Sequence, residues 1–145
     1  MNNNKTCLHK PNNIQQWYII DAKEQTLGRI STIIAKILRG KYHIDYTPNI
    51  KHQNYIIVIN SKDIQVTGQK KYQKLYKRHS GRPGSMKTEN FHTLQTRIPN
   101  RIIEKSVKGM LPKGKLGRAL FNQLKVYETA QHPHDSQKPQ IFTIN

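Results

Sequence analysis

Tyr55-Ile56-Ile57-Val58-Ile59 is an unbroken run of apolar side chains, all of them β-branched or aromatic. A strand with no polar face must be covered on both sides, which is the condition of parallel or mixed α/β sheets. Trp17-Tyr18-Ile19-Ile20, closed by Asp21, is a second such run. Between the two, Leu27, Ile30, Ile33, Ile34, Ile37 and Leu38 recur at steps of three and four, and Gly40 stands just past the end. That spacing predicts an amphipathic helix with a glycine C-terminal cap. Arg29, Lys36 and Arg39 fall on or near its opposite face. Strand, helix and strand in this order predict an α/β fold.

The rest of the chain is more polar. A weaker strand is expected over 64–67, stopped by Gly68. Residues 64–88 hold no acid but carry Lys70, Lys71, Lys74, Lys77, Arg78, Arg82 and Lys87. Within them His79-Ser80-Gly81-Arg82-Pro83-Gly84 reads as a loop on turn chemistry. Asn90 suits the N-cap of a short helix with Phe91, Leu94 and Ile98 inward, ended by Pro99. Asn100 then caps a second helix with Ile102, Ile103, Val107 and Met110 inward and Arg101, Lys105 and Lys108 outward. A last helix places Leu116, Ala119, Leu120 and Leu124 on one face, and Lys115, Arg118, Asn122 and Lys125 form a stripe on another. The tail after Tyr127, with Pro133 and Pro139, is expected to be irregular. Residues 1–16 read as a basic, disordered extension and 17–145 as one domain, the number that 145 residues accommodate.

Charge narrows the function. The chain has 25 Lys plus Arg against 8 Asp plus Glu, a net charge of +17. Such an excess repels itself, and a polyanion best relieves the repulsion. Nucleic acid is the first candidate and an anionic membrane surface the second. No run of about 18 apolar residues exists, so no membrane span is expected. A lone Cys7 makes no internal disulfide and suits a reducing compartment. Residues 1–16 show neither the apolar core of a signal peptide nor the look of a transit peptide. The abundance of Ile (18), Lys (18) and Asn (12) against 4 Ala and 4 Val points to A/T-rich codons, as in an organelle genome.

Catalytic and metal chemistry find little support. Residues 109–115 spell G-x-x-x-x-G-K, but Leu116 stands where a P-loop needs Ser or Thr, and the preceding segment is helical in pattern. A glycine-containing turn between helices is the better reading. His132-Pro133-His134 is the sole close histidine pair, with no cysteine or carboxylate at a zinc-ligand spacing. The eight carboxylates form no close pair for acid–base work, and Ser80 lacks a nucleophile elbow. No enzyme activity, cofactor, metal or small-molecule substrate is expected. The basic stripes instead suit phosphate contacts, which position a protein without reading sequence. Tyr72, Tyr76 and His79 lie among them and could stack on exposed bases or pack into the core. RNA is preferred to DNA, since no helix-turn-helix or zinc-finger pattern occurs.

Several ordered blocks carry a resemblance. They are WYIIDA at 17–22, TLGRIST at 26–32, YTP at 46–48, YIIVIN at 55–60, VTG at 66–68, RHSG at 78–81 with PG at 83–84, RIIEKSVKGMLPK at 101–113, LGRALFNQLKVY at 116–127 and ETAQHPH at 128–134. In this order the chain resembles the family of large-subunit ribosomal protein number thirteen, in its bacterial and plastid form. The resemblance implies a three-layer α/β/α single domain with a mostly parallel sheet of about four strands, basic loops and flexible tails. It implies a structural constituent of the large ribosomal subunit that binds the large ribosomal RNA directly, beside neighbouring ribosomal proteins, and supports early subunit assembly. By motif, the implied RNA-facing residues are Arg78, His79, Ser80, Gly81, Lys108, Gly109, Met110, Lys113, Arg118, His132 and His134. The stripe argument adds Arg101, Lys105 and Lys115, and the loop adds Arg82. Arg82 replaces a usual aromatic of the family and Ser85 a usual glycine. A plastid location is expected, with a bacterial cytoplasm as the alternative. The competing functional reading is a free regulatory RNA-binding module outside the ribosome.

Overall fold

A computed structural model describes residues 15–144. The expected disorder of the extension therefore concerns residues that, but for the last two, lie outside the described ones. The strands are β1 (Gln16–Asp21), β2 (Asn54–Ile59), β3 (Leu75–Arg78), β4 (Lys87–Asn90), β5 (Leu124–Val126) and β6 (Gln140–Ile141). The helices are α1 (Leu27–Leu38), the single turn α2 (Lys70–Gln73), α3 (Phe91–Arg97), α4 (Asn100–Met110) and α5 (Lys115–Phe121).

The two apolar runs become the central pair. β1 and β2 lie parallel in register from Gln16 opposite Asn54 to Asp21 opposite Ile59. β5 adds to the outer side of β2 and β6 to the outer side of β1, both parallel, giving the order β5-β2-β1-β6. Alternation divides the side chains between two faces. Ile20, Ile56 and Val58 join the main core with Ile30, Ile34, Ile102, Ile103 and Val107. Trp17, Ile19, Tyr55 and Ile57 point the other way, and the Trp17 and Tyr55 rings stack at 4.5 Å.

Handedness explains the layering. The path β1–α1–β2 and then through α3, α4 and α5 to β5 steps across the sheet in one direction. A right-handed crossover keeps all those helices on one face. The return from β5 to β6 runs the opposite way, so the same rule sends residues 127–139 over the second face. There His134 lies 5.3 Å from Trp17, and a 3₁₀ turn forms at Asp135–Gln137. The result is the expected α/β domain with a four-stranded parallel sheet.

α1 forms as its spacing predicts and buries Leu27, Ile30, Ile34, Ile37 and Leu38. Gly40, at φ 74°, closes it. The Gly40 N–H donates to Ile37 O at 2.9 Å and the Lys41 N–H to Lys36 O at 3.0 Å, the two bonds of a Schellman cap. A side chain at Gly40 would also strike the His52 ring. Asn54, buried at the start of β2, donates its amide to Ile37 O at 2.9 Å, which ties the end of α1 to the sheet.

Five expectations change. Residues 64–67 make one bridge, Thr26 to Gln65, and no strand; Gly68, at φ 61°, turns the chain away. The acid-free stretch contains an antiparallel hairpin, with Leu75 opposite Asn90 and Arg78 opposite Lys87. The last helix stops at Phe121, and Leu124 with Lys125 joins β5. Leu124 is buried as foreseen, but its i+4 distance from Leu120 fits a helix and a turn into a strand equally well. The turn is held by Gln123, which donates to His52 O at 2.9 Å. The C-terminal tail is partly ordered, because the open edge of β1 accepts β6. Asn90 holds the N-cap position of α3 without a side-chain bond. Pro99, not Asn100, precedes α4, and Asn100 Oδ1 accepts the Ser61 hydroxyl instead.

Ile56 is fully buried in β2 on the helix-bearing face. Truncation in Ile56→Ala removes that contact and leaves a cavity, so chemical denaturation is expected to show a loss of about 2–5 kcal/mol.

Candidate nucleic-acid interface

α4 carries the core on one side and the charge on the other. Ile102, Ile103 and Val107 are buried, whereas Lys105, Lys108 and Gly109 are exposed and Arg101 is half-buried. Met110 departs from the inward expectation, at 39% exposure. The residues that face out form two basic stations, one against the hairpin and one against α5.

At the first station, Arg78 and Lys87 from β3 and β4 meet Arg101 and Lys105 around a cleft of about 480 Å³. Tyr76 lines it. Its ring lies 6.4 Å from Phe91, with the Lys105 and Lys74 ammonium groups 5.2 and 5.5 Å from the ring centroid. The Tyr76 hydroxyl is buried with no partner among the described residues, and burial pushes its phenol pKa up. Tyr76 is thus a packing residue under lysines, not an open platform for a base. The station's acid, Glu89, binds Arg97 through both oxygens at 2.6 and 2.7 Å. That bond holds its carboxyl below the usual value, and the fields of Arg97, Arg101 and Lys105 add to the effect. Glu89 therefore clamps β4 to α3 and subtracts little from the cation field above it.

The hairpin tip is an ordered loop. His79 Nδ1 accepts the Gly81 N–H at 2.9 Å. The Ser80 hydroxyl donates to Ser85 Oγ at 2.7 Å, and the Ser85 hydroxyl to Arg82 O at 2.7 Å. Gly81 and Gly84 take φ of 94° and 73°, values open to glycine and costly elsewhere. Ser85 pins this loop through both of these bonds. Arg82 is exposed at its tip.

At the second station, Lys108, Lys113 and Arg118 ring a pocket of about 480 Å³ between α4 and α5. Gly109 lies inside α4 and Gly114 at the N-cap of α5, so the glycines of the P-loop-like skeleton belong to two helices and share no loop. Lys115 opens α5 and is exposed. Lys125 leaves the stripe, since it sits in β5. A third basic groove, of about 870 Å³, runs past Arg29, Lys70, Lys74 and Met110. Arg29 and Lys70 had no place in the expected set, and only their spatial convergence brings them in.

His132 and His134 stand apart on the second face of the sheet. His134 Nε2 is 2.8 Å from the Tyr127 hydroxyl. His132 Nδ1 lies 3.5 Å from Asp135 and accepts the His134 N–H at 3.3 Å. These contacts fasten the β5–β6 connection. Among the described residues no cluster of three or more His, Cys, Asp or Glu could hold a metal. No helix there is long and apolar enough to cross a membrane.

The sequence model of ribosomal protein L13 matches residues 15–133, from the start of β1 through both basic stations. The chain belongs to the ribosomal protein L13 family. It is 60% identical over 141 residues to large ribosomal subunit protein uL13c of Pyropia yezoensis, covering 97% of this chain and 99% of that one. The uL13c protein of Porphyra purpurea is 58% identical over 141 residues, with the same coverage. Large ribosomal subunit protein uL13 of Picosynechococcus sp. is 55% identical over 142 residues, covering 97% and 94%. The L13 match contains every expected RNA-facing residue but His134.

The clamp has a pH signature. A depressed carboxyl pKa means that the Glu89–Arg97 tie is intact above the ordinary carboxylate range and is lost as pH falls through the depressed value. NMR titration of the Glu89 side chain is expected to give a midpoint below 4.5, and Arg97→Gln should move it up. A midpoint at or above 4.5 in the native protein contradicts the clamp.

Proposed function

We propose that this L13-family chain is a structural constituent of the large ribosomal subunit whose α4 face contacts the large ribosomal RNA directly. The observation that carries the reading is the placement of charge on a family-typical fold. Arg78, Arg101 and Lys105 converge at one station and Lys108, Lys113 and Arg118 at the next, with Glu89 already engaged by Arg97. Such a surface favours phosphates and is self-repelling without them. Arg82 at the hairpin tip and Lys115 at the start of α5 extend it. Met110, Gly109 and the loop residues His79, Ser80 and Gly81 lie along the same run of elements. His132 and His134 belong to a separate, second-face contact in this reading. Neighbouring ribosomal proteins and a role early in assembly are part of the proposal. An exposed cation surface of this kind gains most by binding RNA before the subunit closes around it.

The protein works in the plastid. The uL13c relatives from Pyropia yezoensis and Porphyra purpurea support that placement, as does the A/T-rich residue usage. Nothing in the structure favours a regulatory role away from the ribosome.

Sedimentation with large subunits tests the function. The double variant Lys113→Glu and Arg118→Glu is expected to lower occupancy strongly while the isolated protein still folds; full occupancy contradicts the proposed face. With about eight phosphate contacts, log affinity for the ribosomal RNA should fall with log salt at a slope of about −6 to −7. Crosslinks dominated by messenger RNA would instead support the regulatory reading.

A further inference from the structure

The pocket between α4 and α5 is more apolar than the hairpin cleft, which six cations and Glu89 line beside Tyr76 and Leu94. Its rim is cationic, but its floor is apolar. Leu111 is buried, and Pro112 and Phe121 are half-buried beneath Lys108, Lys113 and Arg118. A duplex backbone engages cations and makes no use of an apolar floor. An unpaired nucleotide uses both, because its base has two apolar faces and its phosphate is anionic. The geometry points to this pocket as the seat of a single unpaired RNA nucleotide, with the base on Phe121 and Pro112 and its flanking phosphates on Lys113 and Arg118. The inference rests on the RNA-binding reading above and adds the class of ligand at one place.

Three features prepare the seat. The first is the contact that holds α5 to the segment before it. Gly117 packs on the Pro112 carbonyl so closely that any Cβ there would collide with it. One turn later on the same side comes Phe121, so this contact sets the spacing between the Pro112 and Phe121 faces. The second is the neighbouring column of α5, Arg118 and Asn122, again four residues apart. It brings a guanidinium and a carboxamide to the rim, and a carboxamide offers both a donor and an acceptor to a base edge. The third is Lys108, whose ammonium lies 5.7 Å from the Phe121 ring centroid. The cation lies over the ring, and the flexible lysine stem lets it swing from the ring to a phosphate attached to an incoming base. A pocket of about 480 Å³ falls in the range that holds small ligands. Of the aromatics read as able to stack or to pack, Tyr76 lies under two lysines with its hydroxyl buried, against one lysine over Phe121, and Tyr72 is exposed beside His92.

The test uses the full chain and full-length large-subunit ribosomal RNA. Ultraviolet crosslinking with mass spectrometry is expected to join the 108–122 region to one unpaired nucleotide. Acylation of ribose 2′-hydroxyls should show that nucleotide protected by the native protein and exposed again with Phe121→Leu. Phe121→Leu should weaken RNA binding about five- to thirtyfold, the worth of a base stack, without changing the salt slope. Asn122→Ala, at an exposed position, should lower the crosslink yield at the same nucleotide with the melting temperature unchanged, and it decides the matter if Phe121→Leu fails to fold. The inference is overturned if both variants bind with native affinity and footprint. It is also overturned if the region crosslinks only to helical RNA or to another protein. In those cases ribosomal RNA binding survives and only the pocket assignment falls. If the native protein shows no affinity for ribosomal RNA, both fall together.

Discussion

The parallel pairing of β1 with β2 is the constraint on which the rest depends. Neither strand has a polar face, so the pair is stable only with both faces covered. α1 and α4 cover one face and the β5–β6 connection covers the other. Each cover is fixed at a particular point. Asn54 holds the end of α1 to the start of β2, and Trp17 meets His134 across the second face. The outer strands follow, since β5 and β6 each complete an edge that the central pair leaves open.

α4 links this core to the interface. One side of it supplies Ile102, Ile103 and Val107, and the other supplies Arg101, Lys105 and Lys108. Burial of the first set orients the second without any further device. The hairpin and α5 then bring cations from distant parts of the sequence against those of α4. The Glu89–Arg97 bond braces the hairpin side, and the Gly117–Pro112 contact braces the α5 side. The same helix thus sets the spacing between two basic stations of different character, the one at α5 having the more apolar floor.

Regular burial was readable in advance, and recruitment by neighbours was not. β1, β2, α1 and α4 lie close to where their side-chain periods place them, because each buries its own apolar stripe. β5 and β6 carry no such pattern. Their few residues become strands because an adjacent edge offers unpaired backbone groups. The hairpin was hidden for another reason: a solvated two-stranded ribbon needs no apolar alternation, and its lysines masked the pairing. Among the candidate site residues, Arg78, Arg101 and Lys105 converge, as do Lys108, Lys113 and Arg118. His132 and His134, close in sequence to β5, face the opposite side of the sheet. Phe121 had no place among the candidates, and only the fold brings it beneath Lys108, one turn on from the Gly117–Pro112 contact.

The sequence by itself determined the strand–helix–strand start, the sign and size of the charge, and the segments that bear it. Periodicity and net charge are properties of a chain at short range, and they need no knowledge of what lies opposite. The tertiary structure alone decided which cations stand together, which aromatic lies open and which is covered, and on which face each histidine falls. Those outcomes depend on the handedness of the crossovers and on close contacts between residues far apart in the chain, and no local pattern encodes either.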